Sequence, residues 1–82
     1  MLHKYKKIAL IEAEQYRGTV KQQRKYGILR IQKSLLIAPK DYLITIEGKM
    51  IVKIGDYIAT GIDGEHWAID QDIFERTYKR VD

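Results

Sequence analysis

Between Gly48 and Gly64 the chain is cut into strand-length pieces by glycine: Gly48-Lys49, Gly55-Asp56, Gly61 and Asp63-Gly64. Between them lie Met50–Ile54, Tyr57–Ile62 and Glu65–Ile69, runs rich in β-branched and aromatic residues. Short apolar runs bounded by glycine and aspartate read as antiparallel strands joined by hairpins. Asp63-Gly64 is the strongest of these signals, because a two-residue hairpin turn favours residues that tolerate positive φ. Gly61, inside the Tyr57–Ile62 run, points to a bulge or a close backbone approach. Upstream, Tyr42 to Glu47 alternates, with Tyr42, Ile44 and Ile46 on one face, and Gly48-Lys49 turns it into Met50–Ile54. Downstream, Asp70 or Asp72 can cap one helical turn through Ile73-Phe74-Glu75-Arg76, and Thr77 to Val81 is a final strand.

The first half is organised differently. Thr19-Val-Lys-Gln22 has the form of a capping box, and Gly27 stands where a C-terminal cap belongs, which predicts a helix of about seven residues. So short a helix persists only with tertiary support. Lys7 to Arg17 has helix-forming composition but a mixed pattern, and Gly18 ends it in either conformation. Ile28–Gln32 and Leu35–Ile37 are short apolar runs, followed by the turn Ala38-Pro39-Lys40-Asp41. Together these elements predict an α+β domain, mostly antiparallel β: a small curved sheet or partly open barrel with one or two short helices. Residues 1–82 read as a single domain, with a basic half (1–40) and a β-hairpin scaffold (41–82). The expected core comprises most of Ile44, Ile46, Ile51, Ile54, Ile58, Trp67, Ile69, Ile73, Phe74 and Tyr78.

Charge divides the chain in the same way. Residues 1–40 hold ten Lys/Arg against two acids and residues 41–82 five against nine, so the halves carry +8 and −4 within a total of +4. A basic half suggests an anionic partner, or attraction between the two halves within one fold or across a dimer. There is no cysteine, which excludes disulfides, thiolate metal sites and a cysteine nucleophile and favours a reducing cytosol. No run approaches 18 apolar residues, and Ile8–Ile11 is too short for the apolar part of a signal peptide.

Lys4-Tyr-Lys-Lys7 followed by Ile11-Glu-Ala-Glu-Gln-Tyr-Arg-Gly18 resembles the opening of a family of small uncharacterised bacteriophage and prophage proteins. The far end of that family carries a Gly-Asp-Tyr/Trp turn, a Gly-x-x-Gly-Glu hairpin and an Asp-Ile-Phe-x-x-Thr-Tyr tail. Here these stand as Gly55-Asp56-Tyr57, Gly61-Ile-Asp-Gly64-Glu65 and Asp72-Ile-Phe-Glu-Arg-Thr-Tyr78. The resemblance implies a strand, not a helix, over Lys7–Arg17. The chain departs from the family pattern at Ile54, where proline is usual, and at Trp67-Ala-Ile-Asp-Gln71, where Tyr-Pro-Cys-Lys-Pro is common. A family activity resting on that cysteine or lysine would therefore be missing here. Residues 19–41 match least.

Catalytic constellations are not apparent. His3 lies in a terminal arm. His66 follows Asp63-Gly64-Glu65, but neighbours along a strand point to opposite faces, so Glu65 and His66 do not converge on a metal. Gly61 and Gly64 are spaced as turn glycines, and Asp56 after Gly55 is suited to bonding its own turn. The expectation is no enzyme, no cofactor and no metal. Binding chemistry is better represented: Arg17, Lys21, Arg24, Lys25, Arg30 and Lys33 bracket Tyr16 and Tyr26. Cations contact phosphates and tyrosine faces stack bases. On a helix Lys21, Arg24 and Lys25 share a face. The set Arg17, Lys21, Arg24, Lys25, Tyr26, Arg30 and Lys33 is thus the candidate site for an anionic partner.

The functional expectation is a cytoplasmic, phage-type accessory protein that binds a host protein, ribonucleoprotein or nucleotide immune signal. Inhibition of host defence, as an anti-CRISPR factor or a nucleotide sponge, is its specific form. Direct nucleic-acid binding in replication or transcription control is one alternative. A structural or assembly component is the other, and both it and the nucleotide sponge imply a homo-oligomer.

Overall fold

The computed structural model describes residues 1–6 and 8–82. Its first regular element is strand β1 (Glu12–Gln15), then helix α1 (Val20–Tyr26), strands β2 (Leu29–Ile31), β3 (Lys40–Thr45), β4 (Gly48–Val52), β5 (Tyr57–Thr60) and β6 (His66–Ile69), and helix α2 (Gln71–Thr77). The strands form two antiparallel three-stranded sheets, ordered β1-β5-β6 and β2-β3-β4. The α+β class is as expected. The mostly antiparallel β content and the two short helices are also as expected, with the strands divided between two three-stranded sheets and no closed barrel among the described residues. The strand expected over residues 7–17 is realised as Glu12–Gln15, with residue 7 outside the described residues.

The turns follow local chemistry, with shifts of register. Thr45 pairs with Gly48, so Ile46-Glu47 forms the first hairpin loop and the positive φ falls on Gly48 (113°) at the start of β4. The second hairpin is not the two-residue turn that Asp63-Gly64 suggested. Gly61 N–H donates to Glu65 C=O at 2.9 Å and Gly64 N–H to Gly61 C=O at 3.0 Å, and only Gly64 has positive φ (79°). This is a three-residue loop built from a tight turn followed by a left-handed glycine. Asp56 bonds its own turn as expected: Oδ2 accepts from Lys53 N–H at 2.9 Å. Asp70 caps α2, accepting from Asp72 N–H at 3.0 Å and Ile73 N–H at 3.3 Å, and the helix runs beyond the single turn foreseen. Two expected pieces are absent from the strands. Leu35–Ile37 forms a turn in which Ser34 Oγ accepts from Leu36 N–H at 3.0 Å, and residues 78–81 have no ladder partner.

The core sits where the sheets meet. Tyr16 and Ile28 pack with Leu43 and Val52 of one sheet and Ile58 and Ala68 of the other. Tyr16, immediately after β1, is fully buried. Its N–H donates to Asp56 C=O at 2.7 Å and its C=O accepts from Gly55 N–H at 2.8 Å, so it is also clamped through its backbone. Its hydroxyl donates to Asp41 Oδ2 at 2.5 Å, and Arg30 grips the same carboxylate with Nε at 2.8 Å and Nη2 at 3.0 Å.

That buried polar knot inverts the expected face of β3. Asp41 and Leu43 point inward, leaving Tyr42 and Ile44 on the other side and Ile46 exposed in the hairpin loop. Of the ten core residues expected, only Ile58 is buried; Trp67, Ile69 and Phe74 are half-buried, and Ile44, Ile46, Ile51, Ile54, Ile73 and Tyr78 are exposed. Apolar residues occupy both faces of β3, so alternation cannot identify the inner one. The long-range partners Tyr16 and Arg30 do. Phe74 lies in an aromatic stack at the surface, its ring 4.0 Å from Tyr57 and 4.9 Å from Tyr78.

Candidate binding surface

Helix α1 is fastened by both of the caps expected for it. Thr19 Oγ1 accepts from Gln22 N–H at 3.1 Å, and Gly27, in the left-handed region at φ 66°, donates its N–H to Gln23 C=O. The reciprocal half of the capping box is redirected. Gln22 is buried, and its Oε1 accepts from Arg17 N–H at 2.8 Å instead of from Thr19. Its Nε2 donates to Gln15 C=O at 2.8 Å and to Glu14 Oε2 at 3.4 Å. One glutamine thus pins the inner side of α1 to β1. The outer side then presents Val20, Lys21, Arg24 and Lys25 to solvent.

Lys21 with Arg24 and Lys21 with Lys25 are like-charged pairs at helical spacings of three and four, each of which costs roughly 0.2–0.5 kcal/mol. Arg24 and Lys25 recover part of this by lying in the last turn, at the negative end of the helix. Arg17 is exposed beside the start of the helix, with Nη2 3.5 Å from Gln15 Oε1. Among the described residues no carboxylate lies within ion-pairing distance of Arg17, Lys21, Arg24 or Lys33.

Lys25, Tyr26 and Arg30 of the sequence-derived set are engaged within the fold. Lys25 Nζ lies 2.8 Å from Glu14 Oε1. Tyr26 donates its hydroxyl to the same carboxylate oxygen, and its ring meets His66 edge to face at 5.1 Å. Arg30 is committed to Asp41. Lys33 lies in the β2–β3 loop. The structure therefore leaves Arg17, Lys21 and Arg24 exposed, Lys21 and Arg24 on α1 and Arg17 before it beside Gln15, and turns Lys25, Tyr26 and Arg30 to internal partners.

Behind the cationic face is a cleft of about 460 Å³. Its walls include Glu12 and Glu14 from β1, Lys25 and Tyr26 from α1, and Thr60 and His66 from the β5–β6 hairpin. Glu12, Thr60 and His66 fall in one row across the sheet, and Thr60 Oγ1 lies 2.9 Å from His66 Nδ1. The hydrogen bonds from Lys25 and Tyr26 hold the Glu14 carboxyl below its ordinary range. Burial, reinforced by Glu14, raises the Tyr26 phenol, and Glu14 raises the Lys25 ammonium. The pair stays ionised at neutral pH and the tyrosine stays a donor. Among the described residues no group of three or more His, Cys, Asp or Glu is placed to hold a metal.

Sequence reasoning passed over this cleft. Its signal was faint: the register of β5 with β6 sets His66 opposite Thr60, but the approach of Tyr26 joins residues 40 positions apart. Among the described residues no helix is long and apolar enough to cross a membrane. No family model, curated protein or solved structure was found to match the chain.

Proposed function

We propose that the protein is a non-enzymatic binding module whose outer α1 face, with Arg17, engages an anionic surface. One observation carries this reading: Lys21 and Arg24 stand exposed on a helix whose opposite side is locked to β1 by Gln22, with Arg17 exposed just before it. Clustered like charge weakens a short helix, so its placement there is not a device for stability. A helix already docked on its inner side loses little backbone entropy on meeting phosphates or carboxylates. The resemblance of the chain's two ends to phage proteins supports a cytosolic, phage-type accessory role. The partner is then a host protein, ribonucleoprotein or nucleotide signal, and the consequence is inhibition of antiviral defence.

Titration of labelled duplex DNA and single-stranded RNA across a salt series tests the site. Three phosphate contacts would give a log–log salt slope of about −3 on duplex DNA and about −2 on a single strand. The combined Arg17→Ala, Lys21→Ala and Arg24→Ala variant should abolish that binding. If neither nucleic acid binds at low salt, direct nucleic-acid binding is removed and an acidic protein surface or a nucleotide signal is left as the partner. Binding to either one that the triple variant leaves intact refutes the assigned face.

A further inference from the structure

Among the described residues, apolar side chains lie uncovered on two surfaces in particular. The first is the outer side of β2-β3-β4. The register aligns Leu29, Tyr42 and Ile51 in one row across the three strands, with Ile44 in the next row but one. Leu29, Ile44 and Ile51 are 50%, 50% and 47% exposed, on the opposite side of the sheet from buried Leu43 and Val52. The second is the N-terminal arm, where Leu2, Tyr5, Ile8 and Leu10 are 76–99% exposed. The arm leads into β1 and so belongs to the other sheet.

The excess area is large. The surface totals 7096 Å², whereas a monomer of this mass has about 5,100 Å². The radius of gyration is 14.8 Å, against about 12 Å for a compact chain of this length. The surplus, about 2,000 Å² per chain, exceeds the roughly 800 Å² that each partner buries in a standard stable interface. Exposed apolar side chains gathered on one sheet face mark an association site.

We propose that the protein is a homodimer in which the arm of each chain lies across the outer β2-β3-β4 face of the other. The second copy is the occupant because the surplus area is enough for each partner's share of a stable dimer interface, and a two-fold exchange buries the arm and the face of both chains at once. A different partner seated on the face would leave the arm in water. The interface uses the face opposite Leu43 and so leaves the core unchanged.

Light scattering after size exclusion, with the full chain, reads the result. The wild-type protein should show twice the 9.6 kDa chain mass. An Ile44→Asp/Ile51→Asp variant should fall to a single chain mass while keeping its circular-dichroism spectrum and a cooperative melt. A wild type of one chain mass, an oligomer larger than two, or a dimer that survives both aspartates overturns the proposal. Disulfide trapping supplies a second reading that does not depend on those variants folding, since the chain has no cysteine of its own. Differently tagged chains carrying Ile8→Cys and Ile44→Cys, mixed and oxidised, should cross-link to each other. If they stay separate, or if a chain carrying both substitutions cross-links only within itself, the arm does not exchange.

Discussion

Replacing Tyr16 by phenylalanine removes one hydroxyl from the junction of the two sheets and leaves the ring in place. That hydroxyl donates to Asp41 at 2.5 Å between two buried residues and accepts a longer bond from Gln23 Nε2 at 3.4 Å. A hydrogen bond to a charged group contributes about 1.5–3 kcal/mol. Asp41 keeps its two-point contact with Arg30, so its charge is not stranded, and the loss should be near the lower part of that range, about 2 kcal/mol. A chain of this length has roughly 4–12 kcal/mol in all, so the variant should fold, with Tm lowered by about 10 °C. Urea melts followed by Trp67 fluorescence should show a lower midpoint at an unchanged slope.

Acid adds a second signature. Arg30, aided by the tyrosine hydroxyl, holds the Asp41 carboxyl below its ordinary range. The contribution of the ionised carboxylate is therefore complete above about pH 4 and is lost as protons bind below that. The stability gap between wild type and Tyr16→Phe should narrow in the same window. A Tm within about 2 °C of wild type at neutral pH would refute the idea that this knot joins the sheets.

Leu43→Ala should cost about 3–4 kcal/mol by opening a cavity in the core, whereas Ile46→Ala should change thermal or urea stability by less than about 0.5 kcal/mol. The opposite ranking would restore the inner face that alternation suggested for β3. Thr19→Ala should lower stability by about 1 kcal/mol through loss of the N-cap, with a matching loss of helical circular dichroism. Glu14→Gln should flatten the acid limb of the stability profile, because Glu14 is also held below its ordinary range and its pairing with Lys25 disappears as it protonates. An acid limb identical to that of the wild type would count against that pair.

How much of this was legible depends on how far apart the interacting residues lie. Helix α1 was readable from Thr19 and Gly27, and α2 from Asp70, because caps act over three or four residues. Hairpins were readable from glycine, but the loop at Gly61–Glu65 was placed one type away, since both turn types use an Asp-Gly pair. The inner face of β3 was not readable. It depends on Tyr16 and Arg30, 25 and 11 residues from Asp41, and a buried aspartate runs against the hydrophobic pattern. The same limit divides the candidate site. Lys21 and Arg24 share a helical face by spacing alone, whereas the capture of Lys25 by Glu14 and of Arg30 by Asp41 emerges only when the strands pair.

The central claim, that α1 and Arg17 form the contact surface, is tested most directly by quantitative affinity capture from bacterial lysate, with and without nuclease. The comparison is among the wild-type chain, the Arg17→Ala/Lys21→Ala/Arg24→Ala variant, and a charge-matched control, Lys53→Ala/Arg76→Ala/Lys79→Ala. The account predicts a species captured by wild type and control and lost from the α1 variant. Equal capture by all three, or loss only in the control, would contradict it.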